Sequence, residues 1–260
     1  MRDGAATDAN VSALDFSFFF SYNIFNVRGT ARYSKIFSSD SYDGFNTTLR
    51  LAKVSGNWQY SFQGNIESAR YDPRDLGFLQ APNEVSVNST IGYYYFKPTP
   101  NLLQYNYRLN VYYSRMYDPG AYNRSFARAT GFWIFRNFWD ITLTTGFFPS
   151  DHDYFVLGDP STYRRFVKRP SYGYIESSGS TDSRKKLYVR YSVLFANFLN
   201  SAPDKDYHAV EGGFRYRFSN RLTFDFSHRH EGETDFIINA GREPNNEPIV
   251  AFVDFTDITS

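Results

Sequence analysis

The fold class this sequence predicts is all-β: an antiparallel up-and-down barrel of membrane-spanning strands, and three observations carry the prediction. Segments of roughly ten residues alternate apolar and polar side chains, as strands between an oily and a wet medium do. Short and long connections alternate between these segments, as tight turns at one rim of a barrel alternate with loops at the other. Aromatic residues reach 20%, with 22 Tyr and 27 Phe, yet the mean hydropathy is −0.51. A barrel with a watery interior combines these two values because its two faces average out.

Composition narrows the classes further. The 260 residues carry 28 basic and 27 acidic side chains, so no whole-chain field points to nucleic acid. Cysteine is absent, which removes thiolate chemistry and Cys-ligated zinc. No run approaches the ~18–20 apolar residues of a spanning helix. The segment Met1–Asn10 is polar and lacks the apolar stretch of a signal peptide. An exported protein with this start is expected to be a processed form or a piece of a longer chain.

The alternation is clearest at 57–68, where Trp58, Tyr60, Phe62, Gly64 and Ile66 oppose Asn57, Gln59, Ser61, Gln63, Asn65 and Glu67. The first strand is predicted at Leu14–Phe25, with Asn26 as a minimal turn into Val27–Phe37. A longer polar link, Ser38–Gly44, precedes Phe45–Val54, and Ser55-Gly56-Asn57 is a tight turn. After the long link Arg70–Asn83 come Val85–Lys97 and the turn Pro98–Asn101, where two prolines end the ladder. A strand then alternates Leu103, Tyr105, Tyr107, Leu109, Val111 and Tyr113 against Gln104, Asn106, Arg108 and Asn110. The loop Arg115–Arg124 follows, and Ala127–Phe135 and Trp139–Phe147 are joined by Arg136-Asn137-Phe138. The longest connection, Phe148–Pro170, leads to a weak strand at Tyr172–Glu176 and a moderate turn, Ser177–Ser183. Leu187–Phe198, the link Asn200–Asp206, His208–Phe218, the turn Ser219-Asn220, and Leu222–His230 follow. A long polar stretch, Glu231–Pro248, separates these from Val250–Phe255. The sum is about thirteen strands in one β region spanning 1–260, without helices or inter-domain linkers.

Phe25, Trp58, Tyr95, Phe96, Phe135, Phe138, Trp139 and Phe218 stand beside the short turns. Amphipathic rings favour headgroup level, so these are expected to form the girdle of the periplasmic rim; cross-strand aromatic pairing is the alternative. Bacterial barrels usually have even strand numbers, and an open edge in lipid leaves backbone groups unsatisfied. An odd count therefore predicts an incomplete part of a larger barrel.

Ten charged residues fall on the polar faces: Glu67, Arg108, Arg128, Asp140, Arg190, Glu211, Arg215, Arg217, Asp225 and Arg229. They are expected to face the lumen, where charge tunes solute choice or simply lines a hydrated interior. Asp72 and Asp75 with Gly77 lack the spread of acids over twelve residues that a calcium loop needs and predict a structured loop. Asp151-His152-Asp153 lacks the further ligands of a metal site. His228 and His230 share a strand face with Phe224 and Phe226 and are expected at the outer rim. A lipase-like reading of Ser227, His228 and Asn239 fails because adjacent strand residues face opposite ways. Arg184-Lys185-Lys186 reads equally as a lipid-headgroup contact or as solvated turn charge. There is no Gly-rich phosphate loop, and period-two aromatics favour membrane over nucleic acid.

Several short stretches, in order, resemble a known family. They are Asp8-Ala9-Asn10-Val11, Ser55-Gly56-Asn57, Asp72–Leu79 (DPRDLGFL) with Asn83-Glu84, Phe96-Lys97-Pro98 and Tyr113-Ser114-Arg115. Phe135-Arg136-Asn137-Phe138, Asp153-Tyr154-Phe155, Arg169-Pro170 and Asp182-Ser183-Arg184-Lys185-Lys186 complete the set. The chain is similar over nearly its whole length to Gram-negative outer-membrane proteins catalogued as domain of unknown function fifty-nine sixteen. In these proteins a carbohydrate-binding family-9-like domain precedes a β-barrel. The resemblance implies a barrel fragment lacking the signal peptide, that domain and the closing strands. It also implies a family-like loop at Asp72, Asp75, Leu76, Gly77 and Phe78. Some members are labelled hydrolases, but the barrel has no established catalytic residues to carry over.

The expectation is a porin-like, non-enzymatic outer-membrane barrel without cofactors, acting in passive uptake or as a surface scaffold. Short turns would be periplasmic and long loops extracellular. Outer-membrane lipid and lipopolysaccharide, and other outer-membrane proteins, are the expected partners, and nucleic acid is not. A soluble carbohydrate-binding β-protein that stacks sugars on Tyr and Trp is the alternative. A membrane-embedded hydrolase is the third reading.

Overall fold

The computed structural model describes residues 8–38, 40–73, 82–154, 166–199, 206–242 and 248–259, with side chains described as far as residue 232. Among these residues the chain is entirely β. Its strands are β1 (Asp8–Phe20), β2 (Phe25–Phe37), β3 (Tyr42–Lys53), β4 (Trp58–Glu67), β5 (Glu84–Tyr95), β6 (Leu102–Arg115), β7 (Tyr122–Phe135) and β8 (Asp140–Phe148). These are followed by β9 (Asp151–Asp153), β10 (Val167–Arg169), β11 (Ser171–Ser180), β12 (Leu187–Leu199), β13 (Asp206–Arg217), β14 (Thr223–Arg242) and β15 (Pro248–Thr259). Thirteen strands form one sheet whose order follows the chain, with β1 and β15 at its two ends; β9 and β10 make a separate two-stranded sheet. The all-β antiparallel reading holds, with thirteen strands in the main sheet and two in a second one; among the described residues β1 does not pair with β15, so the expected closure into a barrel is not found.

Register turns the alternation of each strand into two continuous faces. Phe18 pairs with Val27, Val27 with Leu51, and Leu51 with Phe62, so one row across four strands is wholly apolar. Three positions along, Asp15, Thr30, Thr48 and Asn65 form a polar row on the opposite face, and the Thr30 and Thr48 hydroxyls meet at 2.6 Å. The same holds farther along the chain. Val189 pairs with Phe214, and Phe214 with Phe226, while Asp140 pairs with Ser180, and Ser180 with Arg190.

Burial on these faces is inverted relative to a water-soluble sheet. Phe18 is 63% exposed, Phe62 52% and Phe224 50%. The buried hydrophobic residues described are few: Ile36, Ala52, Tyr71, Met116, Tyr154 and Ala196. The buried polar set is larger and includes Asn26, Thr30, Ser34, Asn46, Glu67 and Ser114. Polar side chains, not apolar ones, are the enclosed layer.

Several connections differ from expectation. The first turn is residues 21–24, where Ser21, Tyr22 and Asn23 have φ of 51°, 56° and 63°; Asn26 is not the turn. Its amide donates to Ser17 Oγ at 3.0 Å and to the Phe18 carbonyl at 3.2 Å, so it is satisfied as a buried strand residue. Tyr22, assigned to the strand, is fully exposed in this turn. The polar link after β2 ends earlier than expected, because β3 starts at Tyr42. The weak strand at Tyr172–Glu176 is a full strand, β11, that absorbs Ser177–Ser180, and the turn moves to residues 181–186. Its small serines and glycines sit where β8 and β12 flank it on both sides, so neighbouring ladders supply what propensity does not. Much of the polar stretch from Glu231 is strand, since β14 continues to Arg242 and pairs with β15 through three register shifts. The long connection after β8 contains the β9–β10 hairpin. The turns at Ser55–Asn57, Pro98–Asn101, Arg136–Phe138 and Ser219-Asn220 stand as expected; Gly56 has φ 81°. Among links of the second kind, only 68–83 and 149–170 are long, so the alternation in length is weaker than the sequence suggests.

The chain divides into two compact units: Met1–Ile91 with Val111–Ser125, and Gly92–Asn110 with Phe126–Ser260. In the first unit, residues 68–72 after β4 fold onto the polar residues. Ser68 Oγ accepts the Phe45 N–H at 2.8 Å, Asp72 N donates to Ser34 Oγ at 2.9 Å, and Tyr42 OH donates to Asp72 Oδ2 at 2.8 Å. Gly44 makes the approach possible: a Cβ there would lie 2.3 Å from the Tyr71 backbone nitrogen. Asn83 then clasps the β6–β7 loop, donating to the Asp118 carbonyl at 2.8 Å and accepting its N–H at 2.9 Å.

Gly64 faces open space, with nothing within 4 Å of its added Cβ. Gly44→Ala is therefore expected to destabilise by about 1–3 kcal/mol, and Gly64→Ala to stay within about 0.5 kcal/mol of the parent. Urea unfolding of the refolded protein measures both.

Candidate functional site

The polar face is the candidate site, and all ten charged residues assigned to it lie there. In the first unit its centre is built by β2, β3 and β4. Arg32, Asn46 and Glu67 occupy one cross-strand row. Arg32 Nη1 donates to Asn46 Oδ1 at 3.3 Å, and Asn46 Nδ2 donates to Asn65 Oδ1 at 2.9 Å. Arg32 also stands 3.9 Å from Asp15. Glu67 ends β4 beneath the link; it is only 8% exposed, and its Oε1 has no hydrogen-bond partner. On β5, Glu84 Oε1 accepts from Tyr112 OH at 3.1 Å, and Arg124 lies over the Tyr112 ring at 5.5 Å. Sequence reading found Glu67 but not Arg32 and Asn46, which only register brings into its row, nor the Glu84–Tyr112 pair.

In the second unit β12, β13 and β14 hold a relay of charges. Arg190 Nε and Arg229 Nη1 stand 3.9 and 4.0 Å from the two Glu211 oxygens. Arg229 Nη2 also pairs with Glu231 at 2.7 Å, and Tyr207 OH donates to the other Glu231 oxygen at 2.7 Å. The Arg190 guanidinium lies against Gly213, where a Cβ would come within 3.3 Å. Asp225 is directly opposite Arg215, and Arg215 lies over the Tyr188 ring at 5.0 Å. Ser180 Oγ donates to Asp140. Arg108 and Arg128 are exposed on the same face, and Arg217 is half-buried. Glu231 escapes the sequence reading because it opens the polar stretch taken as a link, and Tyr207 because it falls between the link Asn200–Asp206 and the strand expected from His208.

The polar face of this unit also carries an aromatic row. Phe126, Phe148, Tyr172 and Phe198 follow one another across β7, β8, β11 and β12, with centroid spacings of 5.0, 4.6 and 5.1 Å. The Phe148 and Tyr172 rings are nearly parallel, 4° apart. Arg128 lies over Phe126 at 5.4 Å. Beside the row, the β9–β10 hairpin has its own cluster: His152 stacks on Phe166 at 3.9 Å, Tyr154 packs on Phe166 at 5.3 Å, and Arg169 pairs with Asp153.

The girdle residues divide. Phe25, Trp58, Tyr95, Phe135 and Phe218 fall on the apolar side of their strands, and Trp139 is exposed in the 136–139 turn. Phe96 continues the other side and stacks on Tyr94 at 6.1 Å. Phe138, with φ 63°, lies under the Arg184 guanidinium at 3.6 Å. Tyr93, Tyr105, Tyr107 and Trp133 form a chain of ring contacts on the apolar side, and Trp133 Nε1 donates to Tyr107 OH at 3.2 Å. Arg184 grips buried Asp182 through Nε at 2.8 Å and Nη2 at 2.9 Å. Those hydrogen bonds hold the Asp182 carboxyl well below the usual carboxylate range, at about 2.

Asp72 is buried and bonded, and Asp75, Leu76, Gly77 and Phe78 lie outside the described residues. His228 lies on the apolar face two positions from His230, and His208 comes within 5.5 Å of the His230 ring. Among the described residues no group of three or more His, Asp, Glu or Cys side chains is arranged to hold a metal ion. The side chain of Asn239 lies outside the described ones.

A family model described as domain of unknown function (DUF5916) matches residues 1–259. The chain belongs to this family. Searches of curated proteins and of solved structures gave no match. The match covers all thirteen strands of the main sheet.

Two outcomes follow from this geometry. Because the Asp182 carboxyl is lowered, its pairing stabilises fully above the ordinary aspartate range, and that contribution fades as pH falls from about 4 through about 2. Asp182→Asn is expected to lower the urea midpoint at pH 7 and to match the parent below pH 2. Glu67 encloses an oxygen without a partner, so Glu67→Gln is expected to raise the midpoint at pH 9, where the carboxylate is charged. Urea titrations below pH 2, at pH 7 and at pH 9 read these outcomes directly.

Proposed function

We propose that this chain forms the wall of an outer-membrane β-barrel, with its apolar face against lipid and its polar face lining a water-filled lumen. One observation carries the reading: the strand residues that face out into open surroundings are Phe, Leu, Tyr, Trp and Val, whereas the enclosed layer is Asn, Thr, Ser and Glu. Exposed apolar patches of this extent are far beyond what a soluble monomer carries. Lipid is a medium in which such a face is stable, and antiparallel strands satisfy their backbone groups between neighbours there.

The polar face supports passive movement of a hydrophilic solute rather than catalysis. Its ion pairs bind one another through opposite charges, as in Arg190, Glu211, Arg229 and Glu231, which is how a hydrated channel wall carries fixed charge. The aromatic row Phe126–Phe148–Tyr172–Phe198 favours a second, compatible reading, in which rings stack against the apolar faces of a sugar-like solute. The exposed Tyr and Trp of the apolar face then belong to the membrane belt and not to a soluble sugar site.

The expected result is recovery of the native protein in the outer-membrane fraction, extraction only by detergent, and stepwise ion conductance in planar bilayers. Recovery in the soluble fraction without detergent would overturn the membrane reading, and membrane recovery without conductance would leave a scaffold in place of a pore.

A further inference from the structure

The charges of the second unit are not evenly spread, and four of its turns share one basic edge. Turns 96–101, 136–139, 181–186 and 218–222 are tied together in series. Arg136 N donates to the Asn101 carbonyl at 3.1 Å, and Arg136 Nε to the Thr99 carbonyl at 2.8 Å. Arg184 covers Phe138. Arg217 N donates to the Lys186 carbonyl at 2.8 Å, and Arg215 Nη2 to the Ser183 carbonyl at 2.8 Å. These turns carry Lys97, Arg136, Arg184, Lys185, Lys186 and Arg221, with Arg217 at the end of β13. The acids beside them are Asp182, already held by Arg184, and Asp140, which accepts from Ser180. Asp225 lies farther in, opposite Arg215. The whole chain is nearly neutral, at +1, so this concentration of cations is a local feature.

Exposed apolar side chains stand among the cations. Phe96, Trp139, Phe218 and Leu222 are all exposed at the same turns. A basic surface meant only for water has no use for these rings; one at the headgroup level of a bilayer does, since the rings enter the interface and the cations meet phosphates.

We propose that this edge docks anionic phospholipid headgroups, a lipid preference that rests on the membrane reading given above. The cations would bind the phosphodiesters of lipids packed against the apolar face, and Arg184 would be presented rigidly by its stack on Phe138 and its grip on Asp182. The edge would then prefer phosphatidylglycerol to zwitterionic lipid in the shell around the protein.

The test uses the full chain with Trp58→Phe and Trp133→Phe, leaving Trp139 as the reporter beside the basic turns. It is inserted into vesicles of phosphatidylcholine mixed with phosphatidylglycerol, with one or the other lipid brominated. Quenching of Trp139 by brominated phosphatidylglycerol is expected to exceed that by brominated phosphatidylcholine at equal mole fraction. Each basic residue near an anionic surface contributes about a fivefold factor. Lys185→Glu with Lys186→Glu should therefore cut the preference by roughly tenfold or more, and Lys185→Gln with Lys186→Gln should weaken it in the same direction. High salt should lower it as well. Equal quenching by the two lipids would overturn the headgroup preference while leaving membrane insertion intact. Trp139 unquenched by either lipid would overturn both the preference and the membrane reading. Loss of the preference on adding inorganic phosphate would show that the edge reads free phosphate, and that too would overturn the proposal.

Discussion

The antiparallel hydrogen-bond ladder is the constraint on which the rest of this structure depends. Each strand of the main sheet pairs with the next one along the chain, β8 and β11 meeting across the β9–β10 hairpin, so backbone groups are satisfied between neighbours and no helix or crossover is needed. Once the ladder fixes register, the period of two sorts every side chain onto one of two faces. A slip of β2 by one residue would move its whole apolar set, Val27 included, to the polar side and break the row with Phe18, Leu51 and Phe62. The apolar row and the ladder are therefore a single commitment.

The polar face inherits its organisation from the same register. Arg32, Asn46 and Glu67 are distant in sequence but adjacent in one row. The link after β4 then closes over that row through Ser68 and Asp72, and the absence of a side chain at Gly44 lets Tyr71 approach. Enclosure by residues 68–72 explains how Glu67 comes to be buried on the polar face. Farther along the chain Arg190, Glu211, Arg229 and Glu231 compensate one another's charge, so this group of ions carries no net charge of its own.

How much of this was legible in the sequence depends on how local the signal is. The alternation at Trp58–Glu67 and the turn at Ser55–Asn57 were readable because neighbours in sequence decide them, and Gly56 supplies the left-handed conformation the turn requires. Asn26 misled because the same amide that favours turns is equally content when buried against Ser17 and the Phe18 carbonyl. The extension of β14 to Arg242 was hidden because a polar strand and a polar loop share a composition, and only pairing with β15 distinguishes them. β11 was underestimated for the related reason that its serines and glycines have low strand propensity, while ladders on both flanks hold it. The ten charged lumen candidates were legible as a face, but their partners Tyr207, Glu231 and Arg32 were not, because partnership across strands is a property of register.

The central claim is that one face of these strands meets lipid and the other meets water. The chain contains no cysteine, so single cysteines can be placed along β4 from Trp58 to Glu67 and spin-labelled in reconstituted membranes. Collision with oxygen, which concentrates in lipid, and with a water-soluble nickel complex should alternate with period two. Positions 58, 60, 62, 64 and 66 should favour oxygen, and 59, 61, 63 and 65 the nickel complex. Uniform access of the nickel complex to both sets would contradict the account.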